Sequence, residues 1–339
     1  MQQLVSQCHS KKQNPTDVGF FNVEKFFIRF YSGLDKRYKG EILSPLFTEL
    51  LSSMCPDRMR TIAVACATDV QVLKSLVSAY KMGFARAILC GDMTQIQNVA
   101  VSAGLDISSF EIVHCDDEIT CARMAVSLVR DGRADIVMKG MIHTADLLRA
   151  VLNRETGIRG DGILSHVAVL FSPSRNRTLF VTDMAMVMYP DLSTKVQLIK
   201  NAVYVAKKMG VNMPRVAPLC AVETLNPAMQ ATVDAAALHD MNLRGEVPDC
   251  IVSGPVAIDI AVSKDAARAK GITGPVQGNA DILLFDNIEA GNNTLKSMVL
   301  FGDWIFGGVI IGARAPVIIN SRSDSDVSKL FSIACACRI

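Results

Sequence analysis

The chain has 339 residues, of which half are hydrophobic and a fifth are charged, and its formal net charge is +2. This length is typical of two domains, and the composition allows a large buried core. The Lys and Arg residues are scattered along the chain, which argues against nucleic acid as the main partner, because nucleic-acid-binding domains usually carry a clustered basic excess.

The apolar segments and the cysteines indicate the compartment. No segment approaches the roughly 18–20 uninterrupted apolar residues that a membrane-spanning helix needs, and the first residues lack the pattern of a signal peptide. None of the ten cysteines forms a Cys-x-x-Cys pair, so a zinc ribbon or a thioredoxin-type site is not expected. We expect buried thiols in a cytoplasmic protein that has no metal site and no membrane partner.

Residues 1–40 have no regular pattern, and we interpret them as an N-terminal extension. From about residue 60, short apolar runs alternate with longer segments of helical period. The runs predict strands at 61–67, 86–91, 110–114, 134–139, 166–171, 178–182, 215–221, 250–253, 280–285, 308–312 and 316–320. The segments between them predict helices at 70–81, 118–130, 145–152, 193–209 and 228–241. This alternation indicates βαβ units, and therefore an α/β fold with mainly parallel sheets.

One segment breaks the alternation. The strands predicted at 166–171 and 178–182 are joined by Ser172-Pro-Ser-Arg-Asn-Arg177, which is rich in turn residues and leaves no room for a helix. This arrangement predicts an antiparallel pair of strands inside a mainly parallel architecture. Such an insertion is one possible mark of a second domain.

Ligands of open parallel sheets bind beyond the carboxyl ends of the strands, so the polar residues that follow each strand are the candidates for a site. The usual motifs are missing, because the sequence has no Gly-x-Gly-x-x-Gly after a strand, no P-loop, no His-Glu-x-x-His and no Gly-x-Ser-x-Gly. Any site must therefore be formed by polar residues that lie outside these motifs.

The most informative segment is Asn320-Ser-Arg-Ser-Asp-Ser325, which lies between a predicted strand and a helix that starts near Ser325 or Asp326. The helix N-terminus and Arg322 are suited to phosphate oxygens. Ser321 can donate a hydrogen bond to a developing oxyanion, and Asp324 can act as a general base for a thiol. Spacing alone favours the alternative that Asp324, Ser325 and Asp326 only cap the helix, and both interpretations can hold at once.

Two further segments have the same strand–loop–helix form. In Asp286-Asn-Ile-Glu-Ala-Gly-Asn-Asn-Thr-Leu-Lys296, we predict that Asn292 opens a helix and that Lys296 lies one turn in, so the segment is either a ligand loop or a capped turn. In the segment 139–149, Thr144 is the predicted N-cap. There His143 is either a ligand or a structural residue, and Arg149 either contacts an anion or lies on a solvated face.

Taken together and in this order, these segments resemble the phosphate acetyl/butyryltransferase family, and the butyryl branch more closely than the acetyl branch. The similar stretches cover roughly residues 60–335 and are 134–140, 143–153, 164–169, 179–183, 221–227, 231–237, 288–292 and 321–325.

The resemblance implies a fold of two α/β domains with an interdomain cleft, similar to that of isocitrate and isopropylmalate dehydrogenases, and a homodimer or higher homo-oligomer. The domains expected in this chain are 41–148 plus 298–339, and 149–297. The implied reaction converts a short-chain acyl-CoA and inorganic phosphate reversibly into acyl phosphate and CoA. It needs no cofactor and no metal, because coenzyme A is a substrate.

In the family's Ser-Arg motif the serine stabilises the transition state, the arginine binds phosphate and a nearby aspartate deprotonates the CoA thiol. The resemblance therefore implies catalytic roles for Ser321, Arg322 and Asp324, with Asp326 as the alternative base. We expect the other motif residues to bind the substrates, namely Lys139, Thr144, Arg149, Asp183, Glu289, Asn292 and Lys296.

Two other functions stay open on the same fold besides phosphate butyryl transfer and phosphate acetyl transfer. One is a non-catalytic module that senses acyl-CoA. The other is a dehydrogenase of the β-decarboxylating group, which ranks last because the sequence shows neither a clear cluster of metal-binding aspartates nor a nicotinamide site.

Overall fold

The structure is a computed structural model that describes residues 58–172 and 174–339, so the predicted N-terminal extension lies outside the described residues. The strands are β1 (Arg60–Ala65), β2 (Ala85–Gly91), β3 (Glu111–His114), β4 (Ile136–Lys139), β5 (Ser165–Ser172), β6 (Arg177–Thr182), β7 (Arg215–Pro218), β8 (Ile251–Val252), β9 (Ile282–Leu284), β10 (Ile305–Ile311) and β11 (Val317–Ile318). The helices are α1 (Val70–Lys81), α2 (Met93–Ser102), α3 (Glu118–Arg130), α4 (Thr144–Val151), α5 (Leu192–Lys208), α6 (Gln230–Leu243), α7 (Ile258–Val262), α8 (Lys264–Ala269), α9 (Ile288–Phe301) and α10 (Asp326–Arg338).

All of these strands belong to one sheet, in the order β3-β2-β1-β4-β11-β10-β5-β6-β9-β7-β8. Most neighbours are parallel, and the antiparallel pairs are β11–β10, β10–β5 and β5–β6. The predicted α/β class with a mainly parallel sheet is confirmed, and so is the predicted antiparallel pair β5–β6. No helix in the described residues is both long enough and apolar enough to cross a membrane.

The strand order divides the sheet into two parts. Strands β1 to β4, β10 and β11 occupy one continuous part of the sheet, and β5 to β9 occupy the other. The sequence ranges of these two groups match the two predicted α/β domains, but the two groups form one hydrogen-bonded sheet. The division into two domains with a cleft stays a prediction.

Small aliphatic side chains fill the core, as the composition indicates. All eight described cysteines are free thiols, and six of them are buried. Four of the buried thiols, Cys66, Cys90, Cys115 and Cys121, belong to the core that covers β1, β2 and β4. The described cysteines therefore match the expectation of buried thiols.

Helix α2 was not predicted from the sequence. Only two of its residues, Ile96 and Ala100, are buried. Because they are four residues apart, the apolar pattern covers about one turn and gives too weak a helical period. The cap is clear in the structure, where the Asp92 carboxylate accepts a hydrogen bond from the backbone N–H of Gln95 at 2.8 Å.

Helix α9 packs closely against the segment that follows β6, and Gly291 makes this approach possible. A Cβ atom at residue 291 would lie 2.4 Å from the carbonyl oxygen of Asp183 and 3.1 Å from the Cα of Met184. Both contacts involve backbone atoms, which move only together with their strand end. The glycine is therefore required for packing.

We predict that Gly291→Ala lowers the free energy of unfolding by about 1–3 kcal/mol, because the added methyl group must push the two backbones apart. Urea denaturation monitored by circular dichroism measures this loss. Gly162→Ala is the matched control, since a Cβ there meets no atom within 4 Å. Equal stability of the two variants would contradict the packing role.

Candidate active site

Residues 320–325 form a tight turn between β11 and α10. The turn is closed by the backbone N–H of Asp324, which donates to the carbonyl of Ser321 at 3.2 Å. Ser321, Arg322 and Ser323 are exposed, whereas Asn320 before them is buried. The predicted catalytic pair Ser321 and Arg322 is thus exposed to solvent, while Asn320, the residue directly before it, is buried.

The carboxylate of Asp324 holds the turn from inside. Its Oδ2 accepts from the backbone N–H of Ser321 at 2.8 Å and from the Asn320 side-chain amide at 3.3 Å. Its Oδ1 has no hydrogen-bond partner among the described residues. One carboxylate oxygen is therefore structural and the other is available to take a proton.

The start of α10 decides between the two interpretations of this segment. Ser325 is the N-cap, and its hydroxyl accepts from the N–H of Ser328 at 3.2 Å. Asp326 accepts from the N–H of Val327 at 3.0 Å. These side chains occupy donors that were predicted to bind phosphate, so the helix end contributes less to such a site than expected. Capping is done by Ser325, while Asp324 binds the turn.

Lys329 lies beneath the turn and is only 1% exposed. Its ammonium donates to the carbonyl oxygens of Ser321 at 3.1 Å and Asp324 at 2.7 Å. A role for Lys329 is not predicted from the sequence, because a lysine on an amphipathic helix usually lies on the solvated face. Its contacts depend on the way α10 folds back under the turn, which the spacing of residues does not reveal.

Lys139 ends β4 and is buried, with 8% of its surface exposed. Its ammonium donates to the carbonyl of Gly140 at 3.3 Å. Burial lowers the pKa of Lys139, and the positive charges of Arg322 and Lys329 lower it further, while Asp69 opposes them. The pairing of β4 with β11 places Lys139 at the same sheet edge as the turn that carries Arg322 and is bound by Lys329, and three cations at one edge favour an anion.

Asp183 is buried behind the turn and is bound by backbone groups. Its Oδ2 accepts from the N–H of His166 at 3.0 Å, and its Oδ1 accepts from the N–H groups of Ala185 and Met186 at 2.7 and 2.9 Å. These bonds shape the segment after β6. The predicted substrate-binding role of Asp183 stays a prediction.

His166 connects this segment to the turn and was not selected from the sequence. Burial lowers the pKa of His166, and the negative charges of Asp183 and Asp324 act in the opposite direction. The Nδ1 atom of the ring lies 2.7 Å from the sulfur of Met184. The buried imidazole of His166 thus feels the negative charges of two carboxylates, and a lone histidine in a strand gives no sign of this in the sequence.

The first turns of α9 lie against the same segment. The helix begins at Ile288 with Asn287 as its cap, so the prediction that Asn292 opens it was wrong. An apolar residue directly after Asn287 hid this earlier cap. Asn292 donates to the carbonyl of Met184 at 3.1 Å, and Glu289 is exposed and accepts from the Tyr189 hydroxyl at 2.9 Å.

The remaining predicted binding residues lie on helix surfaces. His143 occupies the N-cap position of α4, without a side-chain hydrogen bond, so the prediction that Thr144 is the cap was wrong. Thr144 is exposed in the first turn, and Arg149 is exposed and paired with Asp146. Lys296 is also exposed. No hydrogen bond or ion pair within the described ranges joins Thr144, Arg149 or Lys296 to the turn at 320–325.

A second buried lysine anchors the loop before α9. Lys195 is 4% exposed and pairs with Asp234 at 2.6 Å and with Asp286. Burial alone would lower its pKa, but the two carboxylates outweigh this effect and raise the pKa above its ordinary value. These ion pairs hold Asp286, the residue directly before Asn287, which is the N-cap of α9.

Comparison with known sequences agrees with the family resemblance. The family described as "Phosphate acetyl/butaryl transferase" matches residues 117–337. The phosphate butyryltransferase of Clostridium acetobutylicum is 45% identical over 290 residues, which cover 86% of this chain and 96% of that protein. The phosphate acetyltransferase of Rhizobium meliloti is 38% identical over 273 residues, covering 80% of this chain and 86% of that protein.

Solved structures give the same result. A branched-chain phosphotransacylase from Enterococcus faecalis superimposes with a TM-score of 0.74 at 35% identity, covering 83% of this chain and 98% of that one. The family resemblance predicted from the motifs is confirmed by these matches.

We predict that Lys139→Met stabilises the unliganded protein and weakens its response to inorganic phosphate. Because the pKa of Lys139 is lowered on folding, its charged form costs stability at neutral pH, and this cost disappears as the pH rises past the ordinary lysine pKa. Removing the charge removes the cost and one cation of the cluster.

Thermal unfolding with and without phosphate checks this prediction, with the exposed Lys81→Met as the control. A lower Tm without phosphate, together with an unchanged phosphate-induced rise in Tm, would contradict it.

Proposed function

The chain belongs to the phosphate acetyl/butyryltransferase family, and we propose that it transfers a short acyl group between coenzyme A and inorganic phosphate. The observation that carries this proposal is the exposed pair Ser321 and Arg322 beside the buried ammonium of Lys139. The pair supplies a hydroxyl donor and a planar cation at one place, and the ammonium adds a second charge.

Phosphate is bound by charge in this proposal. Arg322 presents two parallel N–H donors that fit two phosphate oxygens, and Lys139 acts as a point charge. Burial and then the charge of Arg322 lower the pKa of Lys139, and an anion between the two side chains would oppose both effects. Because side chains supply the positive charge, the reaction as proposed proceeds without a metal or an added cofactor.

The acyl transfer then follows from the turn. A phosphate oxygen attacks the thioester carbonyl carbon, and the hydroxyl of Ser321 donates to the oxyanion that develops there. The C–O bond to phosphate forms, the C–S bond breaks, and the proton of the attacking hydrogen phosphate passes through the Asp324 carboxylate to the leaving thiolate, which gives the free CoA thiol. In the reverse direction, the free Oδ1 of Asp324 takes the proton of the CoA thiol, so that the sulfur can attack the acyl phosphate.

The acyl chain is proposed to have about four carbons. The relative at 45% identity is named for butyryl transfer, whereas a relative at 38% identity is named for acetyl transfer. The structural neighbour at 35% identity is named for branched chains. The order of these identities favours butyryl, with branched acyl groups next.

The assembly and the compartment belong to the same proposal. Large apolar side chains are exposed at the end of α9, where Leu300 and Phe301 are 73% and 88% accessible. An interface between copies would cover such side chains, which supports a homodimer. The buried free thiols support a reducing, cytoplasmic location.

The function is tested by measuring thiol release from acetyl-, propionyl-, butyryl-, isobutyryl- and hexanoyl-CoA, each with and without phosphate. The proposal requires phosphate-dependent release that is fastest with a four-carbon group. Fastest release from acetyl-CoA would instead assign phosphate acetyl transfer. Binding of acyl-CoA without phosphate-dependent release would indicate the non-catalytic sensor.

We predict that Ser321→Ala lowers kcat about 10²–10³-fold, because one donor to the oxyanion is lost. Steady-state thiol release with saturating butyryl-CoA and phosphate measures the effect. Ser102→Ala on α2 is the control, since that serine is exposed and bonds only to its own helix. Turnover close to wild type in Ser321→Ala would remove Ser321 from the chemistry.

Asp324 and Asp326 are separated by their amide variants. We predict that Asp324→Asn lowers the rate of acyl phosphate formation and of its thiolysis by roughly 10²-fold or more, because the amide can still accept from Ser321 but takes no proton. Asp326→Asn should stay near wild type. The opposite ranking of the two variants would assign the base to Asp326.

A further inference from the structure

Lys329 and Lys195 are both buried lysines, but their ammonium groups have different partners. Lys195 is as deeply buried and pairs with two carboxylates. No carboxylate of the described residues lies within ion-pair distance of Lys329, and its partners are the carbonyl oxygens of Ser321 and Asp324. A buried ammonium without a counter-ion destabilises a fold, so this charge calls for an explanation.

The two carbonyls belong to the two ends of the catalytic turn. Ser321 carries the proposed oxyanion donor and Asp324 carries the proposed base. A single ammonium therefore ties together the backbone of both residues, and Arg322 lies between them. The neighbouring residues of α10, Leu330 and Phe331, are buried in the core, so the helix that holds Lys329 is fixed.

The charge of Lys329 also acts where phosphate is proposed to bind. Its effect is seen at Lys139, whose pKa is lowered by burial, then by Arg322 and then by Lys329, with Asp69 and Cys66 acting in the opposite direction. The three cations therefore share one region. Of the three, Lys329 is the most deeply buried and Arg322 is the most exposed.

We propose that Lys329 is a positioning residue for acyl transfer to phosphate, whose ammonium fixes the Ser321–Asp324 turn and gives the site a buried positive charge that bound phosphate compensates. This inference rests on the proposed function. It adds to that function a residue that touches neither substrate and acts through the turn. If Lys329 only held the turn, a neutral donor to the same two carbonyls would leave the response to phosphate unchanged.

The test is Lys329→Met in the full chain, which keeps the length of the side chain and removes both the donor and the charge. We expect kcat/KM for phosphate to fall about 10–100-fold, the range expected for losing hydrogen bonds from a charged group. We also expect the rise in Tm caused by inorganic phosphate to be lost, while the Tm without phosphate stays equal or increases.

Three further variants sharpen this test. Lys200→Met, on the exposed face of α5, is the matched control and should keep wild-type activity and the full phosphate response. Lys329→Arg keeps the charge and should restore part of the phosphate response, whereas Lys329→Gln keeps a donor and should not. The Arg and Gln pair decides the question if Lys329→Met fails to fold.

The outcomes are distinguishable from those of the proposed function. A lower Tm of Lys329→Met with wild-type kcat/KM for phosphate would overturn the inference, and so would equal phosphate responses of the Arg and Gln variants. If the wild-type chain itself releases no thiol in response to phosphate, the proposed function fails. Active wild-type protein with an unaffected Lys329→Met variant overturns only the role of Lys329.

Discussion

The parallel pairing of β4 with β11 is the contact on which the candidate site depends. Val317 pairs with Val137, and Ile318 pairs with Met138. These residues are far apart in sequence, but the pairing places the carboxyl ends of both strands at the same edge of the sheet. Lys139 and the turn at 320–325 therefore meet there, as expected for ligand sites of parallel sheets. Both strands are buried, so their register is strongly specified.

Among the described residues, neither Lys139 nor Lys329 has a carboxylate within ion-pair distance at this edge. Lys139 and Lys329 are buried, and each donates mainly to backbone carbonyl oxygens. We expect such an arrangement to favour a bound anion. Elsewhere the chain neutralises a buried lysine with carboxylates, as Lys195 shows. Lys195 thus belongs to a structural ion pair, whereas Lys139 and Lys329 form no ion pair with the described residues, as the proposed phosphate site requires.

The sequence predicted the fold well because its signals are local. Short apolar runs identified all eleven strands of the described residues, and the turn-rich segment after β5 identified the antiparallel pair. Helix α2 was missed because only one turn of it is apolar, and the start of α9 was misplaced because Asn287 was overlooked as a cap. The misplaced starts of α4 and α9 each concern a single capping residue, where several neighbours have similar propensities.

The site was only partly predictable, because its decisive contacts are not local. Ser321, Arg322 and Lys139 were selected from motifs at strand ends, and the structure places them together. Lys329 and His166 were not predicted, because burial against other elements of the fold produces no periodic pattern in the sequence. Thr144, Arg149 and Lys296 were selected by resemblance, and their exposed positions leave their roles as predictions. Asp183 shows the reverse case, a conspicuous acidic residue whose carboxylate is engaged by three backbone N–H groups.

The central claim is that phosphate binds between Arg322 and Lys139 while Lys329 holds the turn beneath it. A crystal structure of the full chain grown with inorganic phosphate and free CoA tests this most directly. We expect phosphate oxygens within hydrogen-bond distance of the Arg322 guanidinium and the Lys139 ammonium, with the contacts from Lys329 to Ser321 and Asp324 retained. Phosphate bound at another place, with Lys139 and Arg322 still without an anion, would contradict it.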